Sequence, residues 1–243
     1  MTGMLASVSN LDEALLVEDL GVDVVDLKQP ARGALGALDL GSVAAIVAAL
    51  RPQTVVSATV GDLPMQPDWV FDAVVAMAAT GVDYVKIGFF PGGDWRGCVE
   101  RLSALTGKQR LIAVLFADTR PDLSVVAALA DAGFSGVMLD TMNKGAGSLP
   151  QWLACDQLRE FVRLARSRSL LTGLAGSLRL EDIATLLPLE ADYLGFRGAL
   201  CQRHLRVAEL DADRVTAIRL HLAAKGSAVI AESSATPSDL LMS

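Results

Sequence analysis

Asp19-Leu20-Gly21-Val22-Asp23 runs without a break into Val24-Val25-Asp26-Leu27-Lys28, and this passage decides the fold. A helical pattern over residues 10–20 ends at a glycine. Glycine supplies the left-handed backbone that closes a helix, and an apolar run opens directly behind it. The same device returns as Ala79-Thr80-Gly81-Val82-Asp83 before Tyr84-Val85-Lys86-Ile87-Gly88. It returns again as Asp131-Ala132-Gly133-Phe134-Ser135 before Gly136-Val137-Met138-Leu139-Asp140. A helix handing directly to a buried strand, again and again, is the pattern of βα units around a parallel sheet.

Working outward, eight strands are expected, at residues 5–8, 24–28, 54–60, 84–89, 111–118, 136–140, 171–176 and 193–197. Helical stretches lie between them, among them 10–20, 41–50, 67–79 and 121–132. Eight units in a chain of 243 residues fit an α/β protein with a single (β/α)8 TIM barrel. A doubly wound open sheet competes. It would want a glycine-rich dinucleotide turn after an early strand, and no G-x-G-x-x-G occurs. The barrel is expected over residues 1–225. Residues 226–243, rich in Ser and Ala, are expected to be a loose tail or a segment docked on a neighbour.

Composition narrows the function classes. Hydrophobic residues make up 52%, and 21 Lys and Arg against 28 Asp and Glu leave a net charge of −7. Nucleic-acid affinity rests on clustered basic residues, so a phosphate-backbone binder is excluded, whereas a small anion needs only a local cluster. Three widely spaced cysteines and two histidines suit neither a disulfide frame nor a metal centre. Apolar runs stop short of the roughly 18–20 residues of a spanning helix, and no basic leader precedes the first one. A cytoplasmic, non-membrane protein is expected. Its Ala-, Val- and Leu-rich helix faces suggest a homo-oligomer.

The lysines carry the chemistry. There are only five: Lys28, Lys86, Lys108, Lys144 and Lys225. Three of them fall at the strand ends and loops that form the active face of a barrel. Strand alternation turns Val25, Leu27, Val85 and Ile87 toward the helices, and Asp26, Lys28, Lys86 and Asp140 toward the interior. Lys144 follows in the next loop. Lysine forms imines and arginine does not, and burial beside another cation lowers an amine's pKa into the useful range. Neighbouring carboxylates then relay protons. The competing reading is a set of salt-bridged interior pairs with a structural role only.

The late strands point to a phosphate. Gly176 and Ser177 follow the seventh strand, and Arg197 and Gly198 follow the eighth, where barrels commonly hold phosphate. Ser177 also reads as a plain helix cap. Arg32, in the glycine-rich loop after the second strand, is a candidate second anion contact. Asp118 is a candidate polar wall or a cap for the helix behind it. His204 reads as a surface or interface residue.

Asp26-Leu27-Lys28-Gln29-Pro30 with Gly33-Ala34-Leu35-Gly36-Ala37, Tyr84-Val85-Lys86-Ile87-Gly88, and Met138-Leu139-Asp140-Thr141 with Lys144-Gly145 resemble the motifs of the (5-formylfuran-3-yl)methyl phosphate synthase family. The resemblance covers roughly residues 5–225. It implies a TIM barrel that condenses two molecules of glyceraldehyde 3-phosphate to 4-(hydroxymethyl)-2-furancarboxaldehyde phosphate, with loss of one phosphate and water, in methanofuran-type biosynthesis. It implies Lys28 as the Schiff-base lysine, with Lys86, Asp26, Asp140 and Lys144 as acid–base partners, and no metal or organic cofactor. Phosphate departure falls to Lys144 or Arg32. Two phosphorylated substrates imply two anion sites, one at Ser177 and Arg197 and one at the Arg32 loop. The rival functions are a class I aldolase for another sugar phosphate and a non-catalytic barrel that binds a phosphorylated metabolite.

Overall fold

In the computed structural model, residues 1–233 are described, the last ten of them as helical backbone only. The eight strands are β1 (Gly3–Val8), β2 (Val24–Leu27), β3 (Val56–Thr59), β4 (Tyr84–Gly88), β5 (Arg110–Phe116), β6 (Gly136–Asp140), β7 (Leu171–Leu174) and β8 (Tyr193–Phe196). Each pairs in parallel with the next and β8 closes on β1, so the sheet is a closed barrel. Around it run α1 (Leu11–Asp19), α2 (Leu40–Ala49), α3 (Pro67–Ala78), α4 (Trp95–Thr106), α5 (Val125–Asp131), α6 (Leu149–Trp152), α7 (Cys155–Ser167), α8 (Ile183–Leu186) and α9 (Ala212–Ser233).

The expected alternation sorts the core into two layers. Val25, Leu27, Val85, Ile87, Val137 and Leu139 are fully buried between strands and helices. Leu5, Val24, Ile112, Val114, Phe116 and Met138 fill the barrel interior. Because successive strand residues alternate faces, Val24 and Asp26 point inward while Val25 and Leu27 point outward.

Local chemistry sets the ends. The Asn10 side chain caps α1 by accepting the Glu13 amide at 2.9 Å. At the other end Gly21 takes φ +70°, and the Gly21 and Val22 amides donate back to the Glu18 and Val17 carbonyls. Gly133 repeats this closure behind α5. Three carboxylates lock the barrel's floor. Asp23, just before β2, accepts the Met4 amide of β1. Asp83, before β4, accepts the Val56 amide of β3. Asp192, before β8, accepts the Thr172 amide of β7.

The helix expected at 121–132 begins only at Val125. Arg120 is left-handed, and Asp122 accepts the Ser124 amide and hydroxyl, so the preceding segment turns instead. Helix α9 continues through Gly226 to Ser233, which makes the first part of the expected tail helical. Residues 234–243 of that tail lie outside the described residues.

Candidate active site

The polar centre is built at the top of β1–β4. Parallel register sets Ser7 beside Asp26 and Asp26 beside Ser57. Asp26 accepts the Ser7 hydroxyl at 2.8 Å, the Ser57 hydroxyl at 2.7 Å and the Lys86 ammonium at 2.9 Å. Asp26 is fully buried and Lys86 nearly so. Burial pushes the Asp26 carboxyl up, but the charges of Lys86 and Lys28 and the hydrogen bonds from Lys86 and Ser57 hold it below the usual carboxylate range.

A second pair stands across the barrel mouth. Asp140 ends β6 and accepts the Lys144 ammonium at 2.5 Å and the Thr141 amide at 2.7 Å. It too is buried, and the Lys144 and Lys28 charges with these bonds outweigh that burial and depress its pKa.

Lys28, one residue beyond β2, is different. It is buried, yet its Nζ bonds to no acceptor and pairs with no carboxylate among the described residues, whereas Lys86 and Lys144 each hold one. Burial first, then the Lys144 charge, bring its pKa down to about 7, against the opposing pull of Asp140 and Asp26. An unpaired amine of that pKa is half neutral at physiological pH and able to attack a carbonyl.

These five residues line one cavity of about 260 Å³ together with Gly176, Ser177, Arg179, Arg197, Gly198, His204 and Arg206. Its wall holds the two carboxylates against Lys86, Lys144 and three arginines, so the cavity is cationic within an acidic chain. Gly176 takes φ +112°, and a Cβ there would stand 2.8 Å from Thr141 Cγ2. Only glycine therefore lets this turn lie flat against the β6 loop. Ser177 caps no helix. It is itself left-handed, and its hydroxyl donates to the Lys144 carbonyl at 2.9 Å, tying the β7 and β6 loops together.

Other expected site residues stand elsewhere or are engaged differently. Arg32 is exposed, away from the cavity wall, with its guanidinium toward the Ala37 carbonyl. Asp118 is also outside the wall. It neither caps a helix nor faces substrate space, but accepts the Met142 and Asn143 amides and so fixes the loop that carries Lys144. Arg197 borders the cavity, but its guanidinium grips Glu13 through both terminal nitrogens and also donates to the Ser7, Arg206 and Ala208 carbonyls. His204 lies on the cavity rim, against Arg214. Sequence reasoning missed Ser7, Ser57 and Arg206. The two serines sit at inward strand positions beside Asp26, a signal that becomes readable once the register is known.

Among the described residues, no group of three or more His, Cys, Asp and Glu is placed to hold a metal ion. No helix among them is long and apolar enough to cross a membrane.

Comparison with known proteins agrees with this fold. A Thermus thermophilus phosphoribosyl anthranilate isomerase shares the fold at a TM-score of 0.66 and 18% identity, over 93% of this chain and 100% of that one. A 3-hexulose-6-phosphate synthase does so at a TM-score of 0.61 and 18% identity, over 90% of this chain and 99% of the other. In sequence, a Methylorubrum extorquens protein provisionally named a (5-formylfuran-3-yl)methyl phosphate synthase is 43% identical over 212 residues, 87% of this chain and 88% of its own. The (5-formylfuran-3-yl)methyl phosphate synthase of Methanopyrus kandleri is 35% identical over 234 residues, 91% of this chain and 96% of its own. The 4-HFC-P synthase family matches residues 4–219. With that match, and with relatives of this similarity along nearly their whole length, the chain belongs to the 4-HFC-P synthase family.

Proposed function

We propose that this protein condenses two molecules of glyceraldehyde 3-phosphate to 4-(hydroxymethyl)-2-furancarboxaldehyde phosphate, releasing one phosphate and two waters, in methanofuran-type cofactor biosynthesis. The observation that carries the reading is the buried, unpaired amine of Lys28 between two ion-paired lysines. Attack of Lys28 Nζ on a triose phosphate carbonyl expels water and leaves an iminium. The iminium withdraws electrons from the adjacent carbon, whose proton can then be removed. The resulting enamine carbon forms a bond to the aldehyde carbon of the second triose phosphate. Hydrolysis of the iminium frees Lys28, and ring closure with loss of water and phosphate gives the furan.

The two pairs supply the proton traffic. Lys86 with Asp26 and Lys144 with Asp140 each hold a proton between a carboxylate and an amine, within one cavity with Lys28. The Lys144 and Lys86 charges also lower the Lys28 pKa, against the pull of Asp140 and Asp26. The cavity's cationic wall suits phosphate esters, and Gly176, Ser177 and Gly198 bring backbone to its edge. The amides of Gly176, Ser177, Gly198 and Ala199 have no backbone acceptor among the described residues, which suits them to phosphate oxygens.

The test is incubation with glyceraldehyde 3-phosphate alone. An ultraviolet-absorbing furfural and free phosphate are expected. An open-chain aldol adduct would point instead to a simple class I aldolase. Borohydride with substrate should label Lys28, and absence of any covalent lysine adduct would leave only metabolite binding.

A further inference from the structure

Three arginines border the cavity, and the structure separates them. Arg197 is saturated by Glu13 and three carbonyls. Arg179 faces solvent near Glu181. Arg206 is half-buried, has no carboxylate within ion-pair distance among the described residues, and uses one terminal nitrogen on the Gly33 carbonyl at 2.9 Å. Burial works against its charge, and Asp140 and Asp62 offset this only from a distance. A half-buried cation with unused donors is costly unless an anion completes it.

Its surroundings hold it in place from two sides. The Arg206 carbonyl accepts Arg197 Nε at 2.8 Å, so the buried Glu13–Arg197 pair braces the β8 loop from β1 and α1. The Gly33 carbonyl belongs to the loop after β2, where Asp62 accepts the Ala34 and Leu35 amides and Leu35 packs into the barrel mouth near Gly88. Lys28 begins that same loop.

We propose that Arg206 is the phosphate ligand of this cavity, holding a substrate phosphate with its free guanidinium nitrogens while the other end straps the loop at residues 30–37 over Lys28. Phosphate binding and the ordering of that loop are then one coupled event, and the anion itself shields the imine from bulk water. Arg206 thus takes the role that the sequence suggests for Arg197, and Arg197 becomes the residue that positions it. The inference rests on the cavity being a phosphate-ester site, and its test is separable from the reaction.

Inorganic phosphate is titrated into the full-length protein by calorimetry, and backbone hydrogen exchange is followed with and without it. R206Q should weaken phosphate about tenfold or more, the loss expected for a charge-assisted guanidinium pair. In the wild type, phosphate should slow exchange across residues 30–37, and in R206Q it should not. R206K keeps the charge without the fork and should fall between the two, which keeps the test decisive if R206Q fails to fold. Phosphate affinity of R206Q, or of R206K if only that variant folds, within twofold of wild type would overturn the assignment. Phosphate binding that leaves residues 30–37 unprotected in the wild type would overturn the coupling. Borohydride trapping of unphosphorylated glyceraldehyde at Lys28 in the wild type tests the imine chemistry by itself. If the wild type traps nothing, imine chemistry fails while the phosphate result still decides the role of Arg206.

Discussion

Raising the pH from 6 to 9 should turn on imine formation at Lys28 and then saturate it. At the ordinary lysine value of 10.5, about three amines in ten thousand are neutral at pH 7. With the Lys28 pKa at about 7, half are neutral, roughly a thousandfold enrichment of the nucleophile. The neutral form attacks, so the rate climbs with pH. It should reach roughly a tenth of its limit at pH 6, half at pH 7 and nine-tenths at pH 8. The assay is the initial rate of Lys28 adduct formation with glyceraldehyde and cyanoborohydride, read by mass spectrometry. Lys144→Met should move the whole curve to higher pH. It removes the charge that, after burial, most lowers the Lys28 pKa, and it leaves Asp140 unpaired to favour the ammonium. A rate that rises tenfold per pH unit through pH 9 with no plateau would mean an ordinary amine, and the argument from burial would fail. A curve unmoved by Lys144→Met would remove the electrostatic part of it.

Glu13→Gln leaves the buried Arg197 guanidinium without its carboxylate and should cost ~3–5 kcal/mol in urea unfolding; a loss below about 1 kcal/mol would show that the pair contributes little. Gly176→Ala forces a side chain onto a left-handed residue beside Thr141, so the turn must shift, and a stability loss of about 1–2 kcal/mol should come with weakened phosphate binding in calorimetry. Unchanged phosphate affinity would separate that turn from the anion site. Asp23→Ala removes the acceptor of the Met4 amide on the barrel floor, so Met4 exchange should quicken while turnover stays at wild-type level, because the floor is remote from Lys28. A fall in turnover would show that the two ends of the barrel communicate.

The barrel was legible because period-two alternation and helix-ending glycines are local signals. The strand containing Asp26 and the strand containing Lys86 each declare their inward face within five residues, and the lysines stand out because arginine supplies most of the positive charge. Position in the chain placed Gly176, Ser177 and Gly198 at the end of the barrel where the cavity lies. What pairs with what was not legible. Arg197 looked like a free phosphate ligand because Glu13, its partner, lies 184 residues away and reads in sequence only as a first-turn acid of α1. Arg32 lies in a loop whose path depends on Asp62 and Leu35, and that path leaves it outside. Arg206 sits in an irregular segment with no period to reveal its direction. Asp118 followed the local rule for a cap, yet its actual partners belong to another loop.

The three floor carboxylates have a consequence for how such a chain is assembled. Each one stitches a strand to the one before it, joining first to second, third to fourth and seventh to eighth. No such carboxylate spans the seams between these couples on the floor among the described residues, and the seam from second to third is fastened at the opposite end, by Asp26 to Ser57. Three quarters of this ring, each two strands with their intervening helix, therefore carry their own fastening in their sequence. Lys28 and Lys86 belong to neighbouring quarters, so the two amines arrive on separate blocks and meet when the second strand pairs with the third.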